Sequence, residues 1–262
     1  MIKPKPETQY LTLNDRIIVV TGSARGLGEA FARACASDGA RSIIIADILE
    51  DRGAQVAASL RDNGHDAHFH VLDIGEPQSI ETFAAWALQR FGHIDGLVNN
   101  AAIATGIGGK TFEEIDIDTW DRVMRVNVRG TWLMIKAMAP LLRKSQVGGR
   151  IVNLASDTAL WGAPRLLHYV SSKGAIIAMT RSLARELGPD NISVNAIAPG
   201  LVLVEATEYV PQDRHDLYVD GRAMQRQQHP DDVSGAVTWL LGHGSGFVTG
   251  QVVPVNGGFV FN

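Results

Sequence analysis

The chain has 262 residues, 45% hydrophobic and 20% charged, which is the composition of a globular protein with a sizeable core and excludes a disordered or fibrous one. The formal net charge of −4, with no run of like charges, argues against a nucleic-acid partner, because phosphate binding needs a clustered basic excess. A lone Cys35 in an Ala-rich stretch cannot form an internal disulfide and reads as core filler, and with no His/Cys cluster no metal site is expected.

Residues 1–13 read as a loose arm. Their positive charge is not followed by an apolar h-region, so no signal peptide is expected. No stretch approaches the ~18 apolar residues of a membrane span, so the expected location is cytoplasmic, without a membrane partner. Ile17–Thr21 is an apolar, β-branched run that predicts a buried strand. A Gly-rich turn follows, then an Ala-rich helix from Leu27 to Ser37, stopped by Gly39. Ser42–Asp47 predicts a second strand, Glu50–Asp62 a helix, and Ala67–Leu72 a third strand. Pro77 suits a first helical turn, and that helix runs to about Arg90 before Gly92. Asp95–Asn99 predicts strand four, and the glycines of 103–111 a loop.

Two helices are predicted next, Phe112–Asp121 and Val123–Lys144, then strand five over Arg150–Ala155. Tyr169–Gly188 predicts a helix and Ile192–Ile197 strand six. Residues 200–229 are polar and mixed, without a clear period. Asp231–Leu241 reads as a helix and Gln251–Val255 as the last strand. Strands apolar throughout, alternating with helices, predict an α/β fold: a doubly wound, Rossmann-like parallel sheet covered on both faces. No linker or repeat divides it, so residues 14–262 are read as one domain, with a substrate lid over about 201–228.

Between strand one and the first helix stands Thr21-Gly22-Ser23-Ala24-Arg25-Gly26-Leu27-Gly28. A pyrophosphate can approach backbone amides at a helix N-terminus only where side chains do not block it, which calls for glycine. The spacing Gly-x-x-x-Gly-x-Gly differs from Gly-x-Gly-x-x-Gly but serves the same end. Asp47 ends strand two about 20 residues later, where a carboxylate bonds adenosine ribose hydroxyls and repels the extra phosphate of NADP. Arg25 argues the other way, as a cation able to hold that phosphate, and its alternative is a solvated loop charge. Asp47 carries more weight, so NAD is expected over NADP. Asp73 is open between capping an adenine edge and making an ordinary turn. Asn99-Asn100-Ala101-Ala102 follows strand four at the carboxyl edge, where small residues let a dinucleotide lie against the backbone.

Tyr169 and Lys173 are spaced i, i+4 on a predicted helix and share a face. A nearby ammonium lowers the pKa of a phenol and prepares it as a general acid–base for a carbonyl/alcohol pair. Ser156, after strand five, is placed to bond the substrate oxygen as charge develops.

The ordered set Gly22/Gly26/Gly28, Asp47, Asn99–Ala102, Asn127, Ser156, Tyr169/Lys173 and Pro199-Gly200 resembles the short-chain dehydrogenase/reductase family over nearly the whole chain after residue 14. The resemblance implies that Tyr169 is the acid–base, that Lys173 tunes it and holds the nicotinamide ribose, and that Ser156 positions the substrate oxygen. It implies that Asn127 binds a water of a proton relay, and that Pro199-Gly200 turns beside the nicotinamide. Ser23, Leu27, Ile74, Asn99, Ala101 and Val202 complete the expected cofactor contacts. Two positions depart from the family pattern: Ala102 stands where glycine is common, and Val204 where a threonine bonds the carboxamide, with Thr207 the nearest replacement. The resemblance also implies self-association, as a homotetramer, to which the apolar Phe259-Val260-Phe261 terminus is suited.

The expected reaction is NAD(H)-linked interconversion of a secondary alcohol and a ketone. Ile103, Ala104, Thr158, Leu160, Trp161 and Leu203 are the expected pocket, with Ser156, Thr158, Trp161 and Leu203 touching a small-molecule substrate that has an apolar or aryl arm. The alternatives are an NADPH-dependent 3-oxoacyl thioester reductase and a sugar or polyol dehydrogenase. A cofactor-sensing protein of the same fold need not keep Ser156, Tyr169 and Lys173 together. His65, His68 and His70 read as surface or packing residues.

Overall fold

Runs of apolar, mostly β-branched residues form the first two strands, β1 (Ile17–Thr21) and β2 (Ser42–Asp47), both buried along their whole length. The computed structural model describes residues 13–261, so the arm expected for 1–13 lies outside the described residues except for Leu13, which is buried. Between the strands runs α1 (Gly26–Ser37), followed by α2 (Glu50–Asp62), β3 (Ala67–Val71), α3 (Pro77–Phe91) and β4 (Gly96–Asn99). The second half contains α4 (Ile117–Val123), α5 (Thr131–Leu142), β5 (Gly149–Leu154), α6 (Thr158–Trp161), α7 (Leu167–Leu187), β6 (Ile192–Pro199), α8 (Gln212–Gly221), α9 (Asp231–Leu241) and β7 (Val252–Val255).

All seven strands pair in parallel, in the order β3-β2-β1-β4-β5-β6-β7. Alternation along β1 sends Ile18 and Val20 into one core layer, with Phe31 and Leu240, and Ile17 and Val19 into the other, with Leu97 and Met138. The strand order reverses between β1 and β4, which opens a crevice at their carboxyl ends. This is the doubly wound fold that the sequence predicts.

Three local expectations differ. The two predicted helices of 112–144 are one continuous rod: Phe112–Glu114 is a short 3-10 turn, and α4 passes through a π turn (Met124–Gly130) directly into α5. Residues 200–229 contain α8 and a short turn at Glu205–Thr207. β6 continues to Pro199. His68 bonds Asp66 at 2.9 Å, and His70 packs on Phe83 and Trp86. Among the described residues no group of side chains is arranged to hold a metal ion, and no helix is long and apolar enough to cross a membrane.

Candidate active site

One cleft of about 1010 Å³ runs across the carboxyl ends of the strands, from the β1–α1 turn to the segment after β6. Its floor is set by glycines. Gly22, at φ +64°, lies so close to β4's exit that an added Cβ would stand 2.7 Å from the Ala101 Cα. A Cβ on Gly28 would stand 2.0 Å from the Gly22 carbonyl oxygen. Gly26 differs, because its missing Cβ faces open space with only Val204 at 3.8 Å. Helix α1 starts there without a side-chain cap, so its first amides point at the cleft unsatisfied. This arrangement suits a pyrophosphate.

Asn100 locks the turn. Its Nδ2 donates to the carbonyls of Thr21 (3.0 Å) and Gly22 (2.9 Å), while Thr21 Oγ1 accepts the amides of Asn100 and Ala101. Asp47 closes the far end, where its two oxygens accept from the amides of Ala24 (2.9 Å) and Leu49 (3.0 Å). The carboxylate is thereby fixed with lone pairs to spare, as a ribose diol requires.

Most of the expected cofactor residues meet in this cleft: the glycine turn with Arg25 and Leu27, then Asp47, Asp73, Ile74, Ala101, Pro199, Gly200 and Val202. Asp73 also makes the turn that was its alternative, since its Oδ1 accepts the Gly75 amide at 2.7 Å. Two residues do not reach the cleft. Ser23 is buried, donating to the Val20 carbonyl and accepting the Ala46 amide. Asn99 is buried against Asn153 at 2.8 Å. Both side chains hold the sheet's edge together and face away from the cleft. Thr207 lines the cleft, but its hydroxyl donates to Val202 and Val204 within its own turn.

At the other end, Ser156, Tyr169 and Lys173 converge. The Ser156 side chain lies close enough to the Tyr169 hydroxyl to act on its acidity. Ser156 Oγ accepts from the Thr158 hydroxyl (2.9 Å) and amide (3.3 Å), which directs its own proton outward. Lys173 Nζ donates to the Leu154 carbonyl at 2.6 Å and lies 5.5 Å from the Tyr169 ring centre. Burial lowers the Lys173 ammonium to about 8, still mostly charged at neutrality. The phenol departs from the sequence expectation. Desolvation in the cleft wall pushes Tyr169 up to about 12, outweighing the lowering influence of Ser156.

Asn127 is buried, and its side chain is committed to its neighbours. It accepts the Ile103 amide at 2.7 Å and donates to the Ile103 carbonyl and Ser172 Oγ, bracing the loop after β4. The expected substrate wall is also corrected. Trp161 and Leu203 do not line the cleft; Leu201, Val204, Arg214 and Tyr218 do, with Thr158 as expected. Trp161 stands behind Tyr218, and both pack on Phe259, which stacks on Tyr218 at 4.4 Å. Sequence reasoning gave Phe259 to a subunit interface; here it backs the pocket of its own chain. Tyr209 reaches from the lid to the Ala104 carbonyl at 2.7 Å, across the cleft.

Beneath this wall lies Asp157, fully buried, accepting the Tyr218 hydroxyl at 2.8 Å. Burial raises its carboxyl from 3.8 to about 6. The folded chain therefore holds this proton more tightly than the unfolded one, and the group's contribution to stability falls as pH rises from about 4 to about 6. Asp157→Asn removes that slope. Its melting temperature relative to wild type is expected to climb over this interval by the equivalent of about 3 kcal/mol. Parallel melting profiles between pH 4 and 7 would refute the assignment.

The family model described as enoyl-(acyl carrier protein) reductase matches residues 22–260. A 3-alpha-(or 20-beta)-hydroxysteroid dehydrogenase of Mycobacterium bovis is 35% identical, over 94% of this chain and 89% of the relative. A cyclopentanol dehydrogenase of Comamonas testosteroni is 34% identical, over 95% and 99%. The crystal structure of a gluconate 5-dehydrogenase from Burkholderia cenocepacia, in complex with NADP and tartrate, superposes with a TM-score of 0.89 at 30% identity, covering 96% of this chain and 97% of that one. With the glycine turn, Ser156, Tyr169 and Lys173 gathered in one cleft, the chain belongs to the short-chain dehydrogenase/reductase family and is an oxidoreductase of alcohols.

Proposed function

We propose that this protein is an NAD(H)-dependent dehydrogenase that interconverts a secondary alcohol bearing an apolar or aryl arm with its ketone, using Tyr169 as acid–base. The observation that carries this reading is that one cleft joins the glycine turn and Asp47 to Ser156, Tyr169 and Lys173. The nicotinamide, when bound, accepts or supplies the hydride. The uncapped α1 terminus and Gly26 would receive its pyrophosphate, and Asp47 its adenosine ribose. Lys173, which spends one proton on Leu154, has two left for the second ribose.

Tyr169 takes the proton from the alcohol or returns it to the ketone oxygen. The outward proton of Ser156 holds that oxygen as charge builds on it. The charged Lys173 stabilises the phenolate while it exists. Asn127 acts by holding the Ile103 backbone at the cleft's edge. Ile103, Leu166, Leu201 and Tyr218 line the cleft and supply an apolar wall. The similarity to hydroxysteroid and cyclopentanol dehydrogenases supports the choice of a secondary alcohol.

A second reading, a polyol or hydroxy acid, is favoured by Arg214, whose guanidinium lines the cleft and lies over the Trp161 ring at 5.4 Å. We further infer a homotetramer in the cytoplasm, on the strength of exposed Ile117, Trp132 and Phe261 and a free, buried Cys35.

Fluorescence titration with NAD and NADP, then a screen of secondary alcohols followed by absorbance of the reduced cofactor, tests the reading. Tighter NAD binding and turnover of apolar alcohols are expected. Tighter NADP binding would overturn the cofactor choice, and turnover of polyols or hydroxy acids alone would replace the substrate class by the second reading.

A further inference from the structure

Three charges meet beside the ribose end of the cleft, with Arg25 on its lining and Arg52 and Glu205 next to it, and neither the glycine turn nor Asp47 requires them. Glu205 opens the short turn after Pro199-Gly200, on the lid side. Its Oε1 accepts from Arg25 Nη1 at 2.6 Å and from Arg52 Nη1 at 3.0 Å, and its Oε2 accepts from Arg52 Nη2 at 2.7 Å. Arg52 thus grips the carboxylate with a two-pronged fork while Arg25 caps one oxygen. The two guanidiniums draw the Glu205 carboxyl down to about 2.

Their location gives the cluster meaning. Arg25 is the N-cap residue of α1, next to Ala24, whose amide Asp47 accepts. Arg52 stands in the first turn of α2, just past Asp47 and within reach of its charge. Two fork-shaped cations therefore flank the carboxylate that would hold the adenosine ribose. NADP differs from NAD by one phosphate on that ribose, and two converging guanidiniums are a suitable phosphate receptor. Glu205 already fills that receptor.

We propose that Glu205 is a cofactor-specificity residue: by occupying Arg25 and Arg52 it denies them to the ribose phosphate of NADP. The inference rests on the reading of NAD as the preferred cofactor. The three side chains are half-exposed, so as a source of stability the cluster counts for little. Its effect is on selectivity. An incoming phosphate would have to displace a carboxylate and then bind beside it, and like charges at that range are costly. NAD brings no charge to this point. The conflict between Asp47 and Arg25 in the sequence is thereby resolved by a residue 180 positions away from Arg25.

The test is a set of fluorescence titrations of the full chain with NAD and with NADP, for wild type, Glu205→Gln and the double variant Glu205→Gln/Arg52→Ala. Melting curves check that each is folded, and Glu205→Ala serves as a second single variant. The ratio Kd(NADP)/Kd(NAD) is expected to fall about tenfold or more in Glu205→Gln, and most of that gain is expected to vanish in the double variant. A ratio that moves less than about threefold in both single variants, or a gain that survives loss of Arg52, would overturn the proposal. Failure of the underlying reading looks different. It would show as tighter NADP binding by the wild type itself, whereas the role of Glu205 is read from the change between wild type and variant.

Discussion

Tyr169→Phe is expected to lower turnover in both directions by about 10²–10⁴-fold while the folded chain still binds cofactor. The substitution keeps the ring and its packing and removes only the hydroxyl beside Ser156. In a merely structural role, that loss would register in the melting temperature and leave chemistry near normal. In the proposed role it removes the only path for the substrate proton at this point of the cleft. The pH dependence supplies a second readout. Burial holds the phenol protonated, up to about 12, which is the form that donates to a ketone. Alcohol oxidation needs the phenolate, so the wild-type oxidation rate should rise with pH while reduction stays level until the phenol begins to ionise. Lys173, lowered to about 8, loses its charge in the same alkaline range and blunts the rise. Tyr169→Phe should show neither trend. A variant that keeps more than about a tenth of wild-type turnover would remove Tyr169 from the chemistry.

The parts of this site that were legible in the sequence share a property: each is local. The glycine turn, Asp47 at the end of β2 and the Tyr169/Lys173 spacing each lie within one strand–turn–helix segment, so periodicity and chain order were enough to place them. The parts that were missed depend on distant partners. Ser23 and Asn99 have the right chemistry at the right edge, but Val20 and Ala46 claim the Ser23 hydroxyl and Asn153 the Asn99 Nδ2 inside the core. Trp161 ends the single helical turn that follows Ser156 and still turns away, because Tyr218 and Phe259 give it a better-packed face. Helix α8 buries little besides Tyr218, so its charged sequence carried no apolar stripe to reveal it. The break expected at Arg122 falls inside α4, just before a π turn (Met124–Gly130) that shifts the helical period and so reads like the start of a second helix. Glu205 was the least legible of all, since its two arginines lie in the first two crossovers of the sheet.

The glycine turn offers a prediction in which two simple rules give opposite signs. Gly28 lies in the first turn of α1, where helix propensity alone favours alanine by about 1 kcal/mol. Packing says the reverse. An added Cβ would sit 2.0 Å from the Gly22 carbonyl oxygen and 2.5 Å from Asn100 Nδ2. Neither neighbour can yield cheaply: the first is backbone, and the second is held by its own bonds to Thr21 and Gly22. Relief requires pushing α1 away from β1, which widens the turn where a pyrophosphate would lie against the amides. Gly28→Ala is therefore expected to lower stability by about 1–3 kcal/mol. Dinucleotide affinity should weaken by far more than that loss explains, because the displaced amides point elsewhere. Gly174 provides the control. It lies in α7 directly after Lys173, and an added Cβ there would meet nothing within 4 Å, so Gly174→Ala should follow propensity and raise the melting temperature. If both variants stabilise the chain and Gly28→Ala binds cofactor as wild type does, the close approach of α1 to β1 is not what selects glycine, and the phosphate cradle must be sought elsewhere along the cleft.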